Sequence, residues 1–121
     1  MPTTLPLLED ATAVPCCAPL ASTREMSVED AIRLAGRLKA LADPVRLRLV
    51  THLLGSPGYE ACTCDLAPLV GVSDATVSHH LKKLMDHGIL ADKRRDGMNV
   101  WYRLAPDALA DVSRILDPDC C

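Results

Sequence analysis

The sequence predicts a mostly helical domain with one small β-hairpin, a winged helix-turn-helix of order α-α-α-α-β-β-α. Apolar residues recur at helical spacing through most of the chain, Gly71 stands between two helical stretches, and Asp96-Gly97 separates two strand-like runs. At 121 residues there is room for one domain, and burying further surface in a dimer is a common remedy for a modest core. Phenylalanine is absent, so Leu, Val, Ile and Ala must build that core.

Residues 1–25 contain Pro2, Pro6, Pro15 and Pro19, show no sustained period, and read as a flexible arm that carries Cys16 and Cys17. The domain proper is expected over 26–117, with a short tail at 118–121. Ser27 followed by Asp30 marks a helix start, and Val28, Ala31, Leu34, Ala35, Leu38 and Leu41 form its apolar stripe. Asp43 caps a second helix opening on Pro44, whose apolar face is Val45, Leu49, Val50, Leu53 and Leu54. A short helix is expected from Cys64 or Asp65 to Val70, then the Gly71 turn, then a helix capped by Ser73 and ended at Gly88. Strands are expected over 89–95 and 98–104, and Pro106 opens a last helix carrying Leu109, Val112, Ile115 and Leu116.

A formal charge of −3 argues mildly against nucleic-acid binding, because phosphate contacts need cations. The distribution matters more. Acidic residues gather early, at Glu9, Asp10, Glu25, Glu29 and Asp30, whereas Lys82, Lys83, Lys93, Arg94, Arg95 and Arg103 fall in one short segment. No apolar run approaches the roughly 20 residues that cross a bilayer, and no basic residue or apolar h-region precedes Arg24, so a cytoplasmic protein without membrane contact is expected. In that compartment six cysteines read as thiols rather than disulfides.

In the helix after Ser73, Val77, Leu81, Leu84 and Met85 share one face. The other presents Asp74, Thr76, Ser78, His79, Lys82 and Lys83. Hydroxyls and imidazoles there can reach base edges while lysines neutralise phosphates, the division of work of a recognition helix. Beside them, Arg94, Arg95 and Asn99 flank the hairpin turn as a wing touching backbone or minor groove would. The candidate DNA contacts are therefore Ser73, Asp74, Thr76, Ser78, His79, His80, Lys82, Lys83, Arg94, Arg95 and Asn99. An ordinary amphipathic helix and a charged edge strand are the plainer alternatives.

Three motifs, Ala40-Leu-Ala-Asp-Pro-Val-Arg-Leu-Arg48, Ala61-Cys-Thr-Cys-Asp-Leu66 and Val77-Ser-His-His-Leu-Lys-Lys-Leu84, resemble in order and spacing the ArsR/SmtB family of metal-sensing winged-helix repressors. The resemblance covers roughly residues 27–116. It implies a homodimer built largely on the first and last helices, operator DNA bound in the metal-free state, and release when metal binds. A redox sensor of the same fold is a further possibility.

Soft thiolates favour thiophilic ions over magnesium or calcium. Cys62 and Cys64 stand two residues apart at a helix entrance, where the helix dipole favours the thiolate. The resemblance makes this pair the metal motif of the arsenic, cadmium and lead sensors, with Cys16 and Cys17 of the arm as partners. Arsenite, held by a pyramid of sulfurs, suits a helix cysteine plus a pliable pair, which favours As(III), with Cd(II) and Pb(II) open. Cys120 and Cys121 could cap this site, form another, or have no role. The helix over 107–116 has no histidine, which disfavours the zinc-sensing arrangement on the last helix of related proteins. No glycine-rich oxyanion cradle accompanies the cysteines, which sets thiol enzymes aside, and a metal buffer or metallochaperone would leave the recognition helix and basic hairpin unexplained.

Overall fold

The computed structural model describes residues 25–116, so Cys16, Cys17, Cys120 and Cys121 lie outside the described residues. Helix α1 spans Val28–Leu41, where the Ser27 hydroxyl accepts from the Asp30 amide at 3.1 Å. Helix α2 spans Pro44–Leu54, capped by Asp43, whose carboxylate accepts from the Arg46 amide at 3.0 Å. That backbone hydrogen bond, against the opposing effect of desolvation, holds the Asp43 carboxyl below its ordinary range. A short 3-10 turn leads into strand β1, Glu60–Cys62, and helix α3, Thr63–Val70. Helix α4, Asp74–Asp86, begins at the cap Ser73. Strands β2, Leu90–Asp96, and β3, Asn99–Leu104, make the hairpin, and helix α5, Pro106–Leu116, follows.

The element order follows the sequence expectation with one correction. The hairpin belongs to a three-stranded antiparallel sheet, ordered β1-β3-β2, because Glu60, Ala61 and Cys62 pair with Arg103, Tyr102 and Trp101. Strand β1 is too short to show a period, and its partner lies some forty residues downstream, so local pattern could not reveal it.

The core joins Leu49 and Leu53 of α2, Leu66 of α3, Val77, Leu81 and Leu84 of α4, and Ile89 and Leu104 of the wing, all fully buried. Each buried leucine contributes about 1.5–3 kcal/mol of transfer free energy. Helix α1 is different. Of its expected apolar stripe only Leu34 is buried, while Val28 is 71% exposed and neighbouring Ile32 69% exposed. Its remaining ties include ion pairs from Arg33 and Arg37 to Asp111 of α5, at 3.3 and 3.0 Å. Among the described residues no helix is long and apolar enough to cross a membrane.

The turn between α3 and α4 depends on Gly71, at φ 72°, whose amide donates to the Ala67 carbonyl at 3.0 Å. Nothing lies within 4 Å of the position a Cβ would take. The cost of Gly71→Ala is therefore conformational, and denaturant unfolding should show a loss of about 1–2 kcal/mol. An unchanged midpoint would contradict this account of the turn.

Candidate metal centre and nucleic-acid interface

Cys62 ends β1 in an extended conformation and caps α3, its sulfur accepting from the Cys64 amide at 3.0 Å. The change from strand to helix between the two cysteines turns both side chains to one side, with Cα atoms 5.1 Å apart. In the structure the two sulfurs are joined as a disulfide, where the sequence argument expected free thiols. The proximity that suits a pair to chelation also suits it to bonding, so reduction leaves two thiolates on the same side.

Asp65 completes the cluster: one ligand atom from each of Cys62, Cys64 and Asp65 lies within 4.8 Å of the others. The donor set, two sulfurs and a carboxylate, fits a thiophilic ion. Asp65 was not among the candidate ligands, although its position beside Cys64 at the first turn of α3 was the available signal. Cys62 is fully buried, while Cys64 and Asp65 face solvent, so the centre opens outward. Pro68 has no N–H to return to the Cys64 carbonyl four residues earlier, which leaves the cysteine-bearing end of α3 less tightly bound to its own helix.

On α4 the apolar face is buried, and Asp74, Thr76, Ser78, His79, Lys82 and Lys83 are exposed. Some of their polar groups already have partners. The Ser73 hydroxyl accepts from the Thr76 amide and donates to the Thr76 hydroxyl, and Lys82 pairs with Asp86 at 3.3 Å. A cleft of about 610 Å³ separates this face from the wing, lined by Ser78, Lys82, Met85, Lys93, Arg95 and Tyr102. Arg94, Arg95 and Asn99 are exposed on the wing.

Two sequence assignments change in character. Arg94 bonds Glu60 of β1 at 2.7 Å with its guanidinium 5.2 Å from the centre of the Trp101 ring, so it is engaged within the sheet. Glu60 carried no sequence signal, since the register that brings it to Arg94 depends on β1. His80 is turned inward. Its ring Nδ1 lies 3.0 Å from Arg46 Nη1, and its side chain is 16% exposed, so the structure places it against α2 rather than on the outward face with its neighbours.

Residues 43–92 match the family described as bacterial regulatory protein, arsR family. The chain is 39% identical over 80 residues to the arsenical resistance operon repressor of Staphylococcus aureus, covering 66% of this chain and 73% of that protein. The chain belongs to the ArsR family. It is 42% identical over 89 residues to a transcriptional repressor SmtB homolog of Synechocystis, covering 74% of this chain. It spans less than two thirds of that relative's length, 64%. Among solved structures, the AntR antimony-specific transcriptional repressor is similar with a TM-score of 0.63 and 34% identity, over 82% of this chain and 88% of that one. The residues matched by the family, 43–92, include α3 and α4, with the cysteine pair at the entrance of α3.

The difference in burial gives a direct check of the centre. After reduction, Cys64 should react with iodoacetamide well before Cys62, read by mass spectrometry of the modified peptide. Equal rates would mean that Cys62 is not buried as described.

Proposed function

We propose that this ArsR-family chain is a metal(loid)-responsive transcriptional repressor that binds operator DNA as a homodimer in the cytoplasm and leaves it on binding a thiophilic ion. As(III) is favoured, with Cd(II) and Pb(II) as alternatives. The observation that carries the reading is the Cys62, Cys64 and Asp65 cluster at the first turn of the helix preceding the recognition helix. Relatives named for arsenical, cadmium and antimony response support it. The exposed Val28 and Ile32 of α1 and Leu116 of α5 offer the apolar surface a homodimer would cover. Cys16 and Cys17 remain the proposed further ligands; Cys120 and Cys121 are left open.

A bound ion would supply a cross-link among thiolates. The residues around it offer two short routes toward DNA. One runs along α3, loosened by Pro68, through Gly71 to the N-terminus of α4. The other crosses the sheet, where Cys62 pairs with Trp101 and Trp101 with Arg94. A change propagated by either route must favour the DNA-free state; equal affinity for both states would shift nothing. With a coupling of about 1–3 kcal/mol, arsenite or cadmium added to reduced protein should weaken operator binding about 5- to 150-fold. Cys62→Ser and Cys64→Ser should abolish that response while keeping apo affinity. Equal affinities with and without every ion would sink the reading.

A second reading, a thiol-redox repressor of the same fold, is favoured by the Cys62–Cys64 bond. Closing it from two thiols releases two protons and two electrons, which a hydroperoxide would take up as water and alcohol. Comparing oxidised with reduced protein, both without metal, separates the readings: only a redox switch responds.

The Arg94–Glu60 pair is exposed, so it contributes little stability but competes with phosphate for Arg94. Glu60→Gln should tighten operator binding about two- to fivefold and steepen its salt dependence by about one unit of logarithmic slope. An unchanged slope would show that Arg94 does not reach phosphate.

A further inference from the structure

The recognition helix carries two consecutive histidines in different surroundings. His79 is exposed. His80 meets a guanidinium that also holds the junction of α1 and α2. Arg46 Nε donates to the carbonyl of Ala40, the Arg46 amide donates to Asp43, and Arg46 Nη1 lies 3.0 Å from His80 Nδ1. The groups facing the ring are Arg46, the Asp43 carboxylate at 4.0 Å, and the His79 ring, centred 6.2 Å away.

A guanidinium has donors and no acceptor. The contact therefore requires a lone pair at Nδ1, which assigns the neutral tautomer protonated at Nε2. The Arg46 side chain then joins the last turn of α1 to the middle of α4, while its backbone amide donates to the cap of α2. The contact is half-buried and charge-assisted, the class of hydrogen bond with the larger net contribution. Leu81 and Leu84 fix which face of α4 points inward, but apolar packing is non-directional and leaves small rotations and sliding inexpensive. A directed hydrogen bond at His80 removes that freedom.

We infer that His80 is a positioning residue: through Arg46 it fixes the rotation and height of the recognition helix against the α1–α2 junction, and operator affinity depends on its Nδ1 acceptor although His80 does not touch DNA. This rests on the repressor reading for its consequence, while the contact itself can be tested without DNA.

The test compares two substitutions in the full-length protein. His80→Asn places an amide oxygen close to the position of Nδ1, whereas His80→Leu fills the volume with no acceptor. In the absence of DNA, the Asn variant should keep the amide hydrogen-exchange protection of α4, and the Leu variant should lose about tenfold at similar melting temperature. On a DNA fragment carrying the chain's own promoter, the Asn variant should bind within about threefold of wild type and the Leu variant about tenfold more weakly. Equal protection in the two variants would overturn the inference whatever the DNA does. Equal operator affinities with unequal protection would overturn the link to DNA and leave a purely structural contact. If protection follows the acceptor while even wild type binds no promoter DNA, the repressor reading fails and the contact stands.

Discussion

The arrangement depends on burying one face of α4. Val77, Leu81 and Leu84 are fully buried against α2, α3 and the wing, and in a chain without phenylalanine that cover comes mainly from aliphatic side chains. Because a helix turns about 100° per residue, fixing those three positions fixes the rest. Ser78, His79, Lys82 and Lys83 are thereby committed to solvent. The outward chemistry of the helix follows from its inward packing, and this is why a generic amphipathic pattern can carry a specific surface.

The same packing positions the cysteine pair. Leu66 and Ala67 anchor α3 in the core, while β1 is pinned to β3 through Ala61 and Tyr102. Cys62 is caught between those two anchors and becomes fully buried, and Cys64, one residue into the helix, emerges. The pair thus joins a rigid element to solvent. A dithiol on an exposed loop could bind an ion equally well, but it would have little to displace.

Elements with a period of their own were legible in the sequence: the five helices, their caps at Ser27, Asp43 and Ser73, and the hairpin at Asp96-Gly97. What was hidden depends on long-range register. Strand β1 has three residues and gains its identity only from β3, and with it came Glu60, its bond to Arg94, and the alignment of Cys62 with Trp101. The inward turn of His80 was hidden for a subtler reason. Its position lies at the edge between the two faces of α4, where the helical pattern is indifferent and a partner on another helix decides. The α1 stripe was legible as apolar, yet within one chain only Leu34 of it is buried, because periodicity reports that a face seeks cover and not which molecule supplies it.

The acidic balance of the chain looked like an obstacle to a nucleic-acid surface, and the pairing of charges removes it. Arg33 and Arg37 are held by Asp30 and Asp111 at the α1–α5 seam, and Arg103 is held by Asp92. Lys82 and Arg94 sit closer to the proposed DNA face, each shared with one carboxylate. Among the described residues Lys83 and Arg95 have no carboxylate partner, and both are exposed on that face. A surface built this way offers a few free cations and two that phosphate must win from a carboxylate. In the proposed repressor, counterion release would then contribute a modest, adjustable share of affinity rather than an overwhelming one. That is the condition under which the proposed coupling of a few kcal/mol from a neighbouring site would decide whether the protein stays on DNA.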